Sequence, residues 1–83
     1  MTTIKDIERW ITFAKQGNYK YIISVCDTYD WEDYPVYCKD EYELKIKYPE
    51  FNGVNMQRVN EIIMIDDKDV IHDLILDSEG NVR

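Results

Sequence analysis

Residues 19–26, Tyr19-Lys20-Tyr21-Ile22-Ile23-Ser24-Val25-Cys26, limit the possible folds more than any other stretch. Aromatic and β-branched residues dominate it, the composition of a β-strand. Successive side chains of a strand point to opposite faces. Tyr21, Ile23 and Val25 therefore share one face, and Ile22, Ser24 and Cys26 the other. Both faces are fairly apolar, which predicts a central strand covered at least in part on each side. A chain of 83 residues has room for one domain around it, so residues 1–83 are expected to form a single acidic α+β domain. A domain of this size buries roughly 60–65% of the surface its unfolded chain exposes. Dimerisation is the simplest further source of stability.

The flanking segments follow from local signals. Thr3 with Asp6 three residues on is a capping box, and Ile4, Ile7, Ile11 and Ala14 recur at helical spacing as a buried stripe with Trp10 at its edge. Phe13 falls on the opposite side. Gly17-Asn18 supplies the left-handed residue that ends this helix. Pro35 precedes Val36-Tyr37-Cys38, a short second strand forming a hairpin with the first. Asp40 and Glu43 open a second helix that should stop at Tyr48-Pro49, because proline disfavours helix at the residue before it. Asn52-Gly53 is a turn. Residues 56–65 carry two patterns: Met56, Val59 and Ile63 suit a helix, whereas Ile62-Ile63-Met64-Ile65 suits a strand. The four consecutive β-favouring residues favour a third strand over 58–65, running into the Asp66-Asp67-Lys68-Asp69 turn. Residues 70–76 return as a fourth strand with Val70, His72, Leu74 and Leu76 on one face. A C-terminal helix from Asp69 is the rival there, and residues 77–83 read as a turn or frayed end. The expected architecture is helix, hairpin, helix, hairpin: a small antiparallel sheet of about four strands with two helices on one face.

Charge is distributed unevenly. Between residues 27 and 43 stand Asp27, Asp30, Glu32, Asp33, Asp40, Glu41 and Glu43 against the single cation Lys39, which accounts for most of the formal net charge of −7. Tyr29, Trp31 and Tyr34 are interleaved with the first four acids, and tyrosine and tryptophan are favoured as interface anchors. The negative balance argues against direct nucleic-acid binding, which needs lysine and arginine to displace counterions. It equally disfavours an anionic membrane surface. With no apolar run long enough to cross a bilayer and no secretory leader pattern, a cytoplasmic location is expected.

Signatures of chemistry are missing. The lone histidine, His72, sits in an apolar alternation. Cys26 lies beside Asp27, a setting that raises a thiol pKa and deactivates it. Cys26 and Cys38 lack the paired spacing and further ligands of a zinc site. Opposed on neighbouring strands they could form a disulfide, but in a cytosolic protein they read as buried thiols. With Asp27 as first ligand, Glu32 and Cys38 would fall where a calcium loop needs glycine and glutamate. Neither an enzyme nor a cofactor or metal is expected.

The partner that such a surface fits is a basic protein, most simply one that otherwise holds nucleic acid. About 30 Å of duplex DNA carries roughly 18 charges, and the chain has 17 acidic side chains. The candidate partner-binding residues are Asp27, Asp30, Trp31, Glu32, Asp33, Asp40, Glu41 and Glu43. The runs Tyr21-Ile22-Ile23-Ser24-Val25-Cys26-Asp27-Thr28-Tyr29-Asp30-Trp31-Glu32-Asp33-Tyr34-Pro35-Val36-Tyr37 and Asn55-Met56-Gln57-Arg58-Val59-Asn60 resemble small early proteins of T-even-type phages, among them the Arn family of anti-restriction proteins. The resemblance covers the middle half of the chain. It implies a dimeric acidic DNA mimic that blocks the host McrBC restriction nuclease and engages the nucleoid protein H-NS. It carries no catalytic or metal residues over. The alternative is an interaction module of a phage or mobile element that grips a host protein through its aromatic-acidic loop, without imitating DNA.

Overall fold

The computed structural model describes residues 3–53, 56–66 and 69–76. Helix α1 (Ile4–Gln16) leads into strands β1 (Tyr21–Asp27) and β2 (Glu32–Cys38). Helix α2 (Glu41–Phe51) and strands β3 (Gln57–Ile65) and β4 (Val70–Ile71) follow. The strands pair antiparallel throughout in the order β2-β1-β3-β4. This is the α+β class expected, with four strands and two helices.

The helices do not share a face. Tyr21, Ile23 and Val25 of β1 pack with Cys38, Ile62 and, from α2, Leu44, Tyr48 and Phe51. On the other side, Ile22 packs with Ile63, Ile65 and, from α1, Ile7, Trp10, Ile11 and Ala14. The expectation of helices on one face is thereby corrected, for the reason already present in β1: a strand apolar on both sides needs cover on both. Ile22 and Ile23, adjacent in sequence, are each wholly buried on opposite faces. Complete burial of such a side chain is worth about 1.5–3 kcal/mol, so each helix is held by its own patch of sheet.

The capping box at α1 forms as expected, with the Thr3 hydroxyl accepting from the Asp6 N–H and the Asp6 carboxylate accepting from the Thr3 N–H. Ile4 differs from expectation. It is 78% exposed and does not join Ile7, Trp10, Ile11 and Ala14 in the buried cluster. At the other end Asn18, at φ 59, is the left-handed residue, while Gly17 stays at φ −90. Gly17 is small for another reason: a Cβ there would lie 2.6 Å from the Tyr19 ring. Phe13 is half exposed, yet its ring packs 4.8 Å from that of Tyr37, so the monomer accounts for part of it.

Three other boundaries move. Strand β2 begins at Glu32 and runs through Pro35, four residues ahead of the expected start at Val36. Helix α2 continues through Pro49 to Phe51. The proline removes one bond to the carbonyl four residues back, on exposed Lys45, while Tyr48 and Phe51 anchor this last turn in the core. Strand β4 is only two residues long. Asp73, at φ 53, turns the chain, so Val70 packs on the α1 face while Leu74 and Leu76 pack on the α2 face. The expected single face for Val70, His72, Leu74 and Leu76 therefore does not form, and strand rather than helix follows Asp69. The Asp66 N–H donates to the Asp69 carbonyl at 2.8 Å across the β3–β4 turn. Asp67, Lys68, Asn55 and residues 77–83 lie outside the described residues.

Candidate partner-binding site

Strands β1 and β2 are joined by residues 28–31, and the acids around them build the connection themselves. The Asp27 carboxylate accepts from the Tyr29 N–H at 2.9 Å, and the Asp30 carboxylate from the Glu32 N–H at 3.2 Å. Short polar side chains that hold the backbone two residues on are a standard turn device. The Trp31 N–H closes the loop onto the Asp27 carbonyl at 2.7 Å. Thr28 donates both its N–H and its hydroxyl to the carbonyl of Met56, each at 2.7 Å, which fixes the start of β3 beside the tip. Trp31 and Met56 both have left-handed backbones, φ 59 and 61. For bulky residues this is uncommon and costs on the order of 1–2 kcal/mol.

The tip thus presents large side chains among carboxylates. Tyr29, Trp31 and Met56 are 78%, 64% and 58% exposed. Asp30 and Glu32 are exposed beside them, and Asp27 and Asp33 are half-buried at the base. Glu32 and Asp33 belong to β2, so the acidic segment is not confined to a loop.

Asp40, Glu41 and Glu43 stand elsewhere. The seven residues of β2 separate them from the tip by about 20 Å. They serve the start of α2: the Asp40 carboxylate accepts from the Glu43 N–H at 2.8 Å, and Glu41 and Glu43 lie in the first turn, where negative charge is favourable. The Glu43 carboxylate takes the Lys39 N–H at 3.0 Å and an ion pair to Lys47 at 3.6 Å. Lys39 lies 5.9 Å above the Tyr19 ring, and Lys15 and Lys20 line a cavity with Tyr19 and Asp66. Charges of both signs mix at this end. The eight candidate residues therefore form two groups, not one row.

Sequence reasoning missed the groove on the α1 face beneath the tip. It has a volume of about 590 Å³, with Ser24 and Cys26 as floor, Ile7 and Trp31 on its rim, and Asp33, Arg58, Asn60 and Glu61 around it. A β-bulge makes it. Ser24 pairs with Glu61 but Val25 with Val59, so Asn60 is an extra residue in β3. Its side-chain amide reaches over β1 to the Asp33 carboxylate at 2.9 Å. Arg58, Asn60 and Glu61 consequently border one groove. The polar doublet Asn60-Glu61, which breaks strict alternation, is the sequence signal that could have found it. Glu61 also stands 3.5 Å from His72.

Burial pushes the Cys26 thiol pKa up, the neighbouring Asp33 adds to the rise, and Arg58 partly opposes it. Burial likewise pushes the Cys38 thiol up to about 11. The two cysteines are free and buried, and their pairing partners, Asp33 and Tyr21, put them at opposite ends of the hairpin. Among the described residues no group of three His, Cys, Asp or Glu is placed to hold a metal ion, and no helix is long and apolar enough to cross a membrane. Compared with protein-family models, curated proteins and solved structures, the chain matches none.

Proposed function

We propose that this chain is a non-catalytic inhibitor whose β1–β2 tip docks on the nucleic-acid-binding surface of a basic host protein and keeps nucleic acid out. One observation carries the reading. Asp27, Asp30, Glu32 and Asp33 surround exposed Trp31 and Tyr29 on a tip whose backbone is held by its own carboxylates. Oriented charge speeds encounter and selects a positive surface, while a large exposed ring supplies an anchor once contact is made. In line with the phage resemblance, the target is a restriction nuclease such as McrBC or the nucleoid protein H-NS, met in the host cytoplasm. A homodimer would place two tips on one target.

The split of the acids favours a second reading, in which the tip grips its partner through the rings without tracing the phosphate path. Changing Asp30, Glu32 and Asp33 together to their amides tests the first reading. Asparagine and glutamine keep the oxygens that accept the turn bonds, so the fold should persist. Capture of the target from host lysate should fall by well over tenfold, and duplex DNA should compete with the unaltered protein. Unchanged capture would exclude the tip.

A further inference from the structure

The groove beneath the tip holds a polar group that the fold itself leaves unused. Ser24 is 5% exposed and lines the groove floor, and its hydroxyl has no hydrogen-bond partner among the described residues. No fully sealed side-chain polar atom there is left without a partner, so this hydroxyl is open to the groove. Buried polar groups are ordinarily hydrogen-bonded. One kept open at the bottom of a groove points to an occupant.

We propose that the groove receives a single arginine side chain of the basic partner, its guanidinium held by Asp33, Glu61 and the Ser24 hydroxyl and stacked on Trp31. This rests on the docking reading above and specifies its contact. Two carboxylates against one cation, Arg58, leave the groove negative, and Asp27, Asp30 and Glu32 nearby add to that potential. The balance disfavours an anion and admits one cation. The shape distinguishes which cation. Guanidinium is flat, with five N–H donors in a fixed fork, and it stacks on aromatic faces. Trp31 offers such a face on the rim, Ile7 offers apolar surface to the stem, and Asp33, Glu61 and Ser24 bring three acceptor side chains to the same groove. An ammonium has three donors at a point and no flat face to lay on the ring.

The experiment is a titration of the full ¹⁵N-labelled chain with a terminally blocked Gly-Arg-Gly peptide, and with the same peptide carrying Lys or Gln at its centre. The arginine peptide should shift the Trp31 indole N–H and the Asn60 side-chain amide saturably, at least fivefold more tightly than the lysine peptide. The glutamine peptide should give no shift. Ser24→Ala and Glu61→Gln should each weaken arginine binding at least threefold while leaving the circular dichroism spectrum unchanged. Equal binding of the three peptides, or intact binding in both variants, overturns the proposal. Tighter binding of free arginine than of the blocked peptide also overturns it, in favour of a small zwitterion using Arg58. The titration needs no partner, so it decides the groove whatever becomes of the docking reading. Conversely, lysate capture lost in the tip triple amide but kept in Glu61→Gln leaves docking intact and removes the groove from it.

Discussion

The Asn60 side-chain amide donates to the Asp33 carboxylate at 2.9 Å, linking β3 to β2 across the strand between them. The bond ties the bulge to the acidic hairpin, so one extra residue in β3 positions both the groove and the base of the tip. Asn60→Ala removes the donor and leaves a partly exposed acid that water can satisfy. The expected cost is about 1 kcal/mol. For a domain of this size that lowers Tm by about 4–8 °C, measurable by thermal circular dichroism. An unchanged Tm would mean that the link contributes nothing in solution.

Which features were legible in the sequence follows from how local each one is. The Thr3–Asp6 box depends on residues three apart, and the two-faced character of β1 on its own alternation; both could be read directly. The placement of α1 and α2 on opposite faces is implicit in Ile22 and Ile23, but it is a relation between distant segments that no local signal expresses. Ile4 shares the helical spacing of Ile7 and Ile11 yet stays outside their cluster, which periodicity does not reveal. At the site, nearness in sequence misled. Asp33 and Asp40 are seven positions apart, and because β2 runs straight between them they stand at opposite ends of the sheet. Asn60 and Ser24 carry no motif, and only the pairing register brings them together.

Trp31 occupies a left-handed turn position, φ 59, that glycine adopts without steric cost. Trp31→Gly should therefore leave stability unchanged or raise it by up to about 1 kcal/mol, while partner capture falls by more than tenfold. Trp31→Ala keeps the backbone strain and should lose binding without the gain. Chemical denaturation read alongside capture separates the two effects. Clear destabilisation by Trp31→Gly would make the ring a structural part of the hairpin.

Pro49 lies inside α2, where it can donate no hydrogen bond to the Lys45 carbonyl. Pro49→Ala should restore that bond and stabilise the fold by about 1 kcal/mol, less than the full interior penalty of ~3 kcal/mol because only the last turn is affected. A lower Tm would show that the ring itself is needed to seat Tyr48 and Phe51.

Alkaline lability follows from Cys38. Its thiol titrates at about 11 in the fold, against 9.0 unperturbed. Between these values the native state keeps a proton that the unfolded chain has lost. This contribution to stability is complete below about pH 9 and disappears as pH rises through 11, with a slope of up to about 1.4 kcal/mol per pH unit. Burial also raises Tyr21, Tyr34 and Tyr37, which act in the same direction. Cys38→Ala should flatten the decline in denaturant titrations between pH 8 and 10.5. The native thiol should also resist alkylation at pH 8 until the chain unfolds.

Salt decides between imitation of DNA and an anchored contact. The Debye length falls from about 10 Å at 0.1 M salt to 3 Å at 1 M, so a contact built on exposed carboxylates weakens steeply while a buried ring is little affected. The tip has both, and the geometry orders the expected outcomes. Unaltered protein should lose at least tenfold in affinity between 0.05 and 0.5 M salt. The Asp30, Glu32 and Asp33 triple amide should start weaker and show a shallow slope, with the residue of binding removed by Trp31→Gly. Amides at Asp40, Glu41 and Glu43 should change affinity by less than about twofold, because those carboxylates are spent on α2 about 20 Å away. Should that second set abolish binding as fully as the first, the partner spans both ends of β2. The two acidic groups would then work as a single tract, as duplex imitation requires. Loss confined to the tip set, with a flat salt response, would instead leave the aromatic grip as the mechanism.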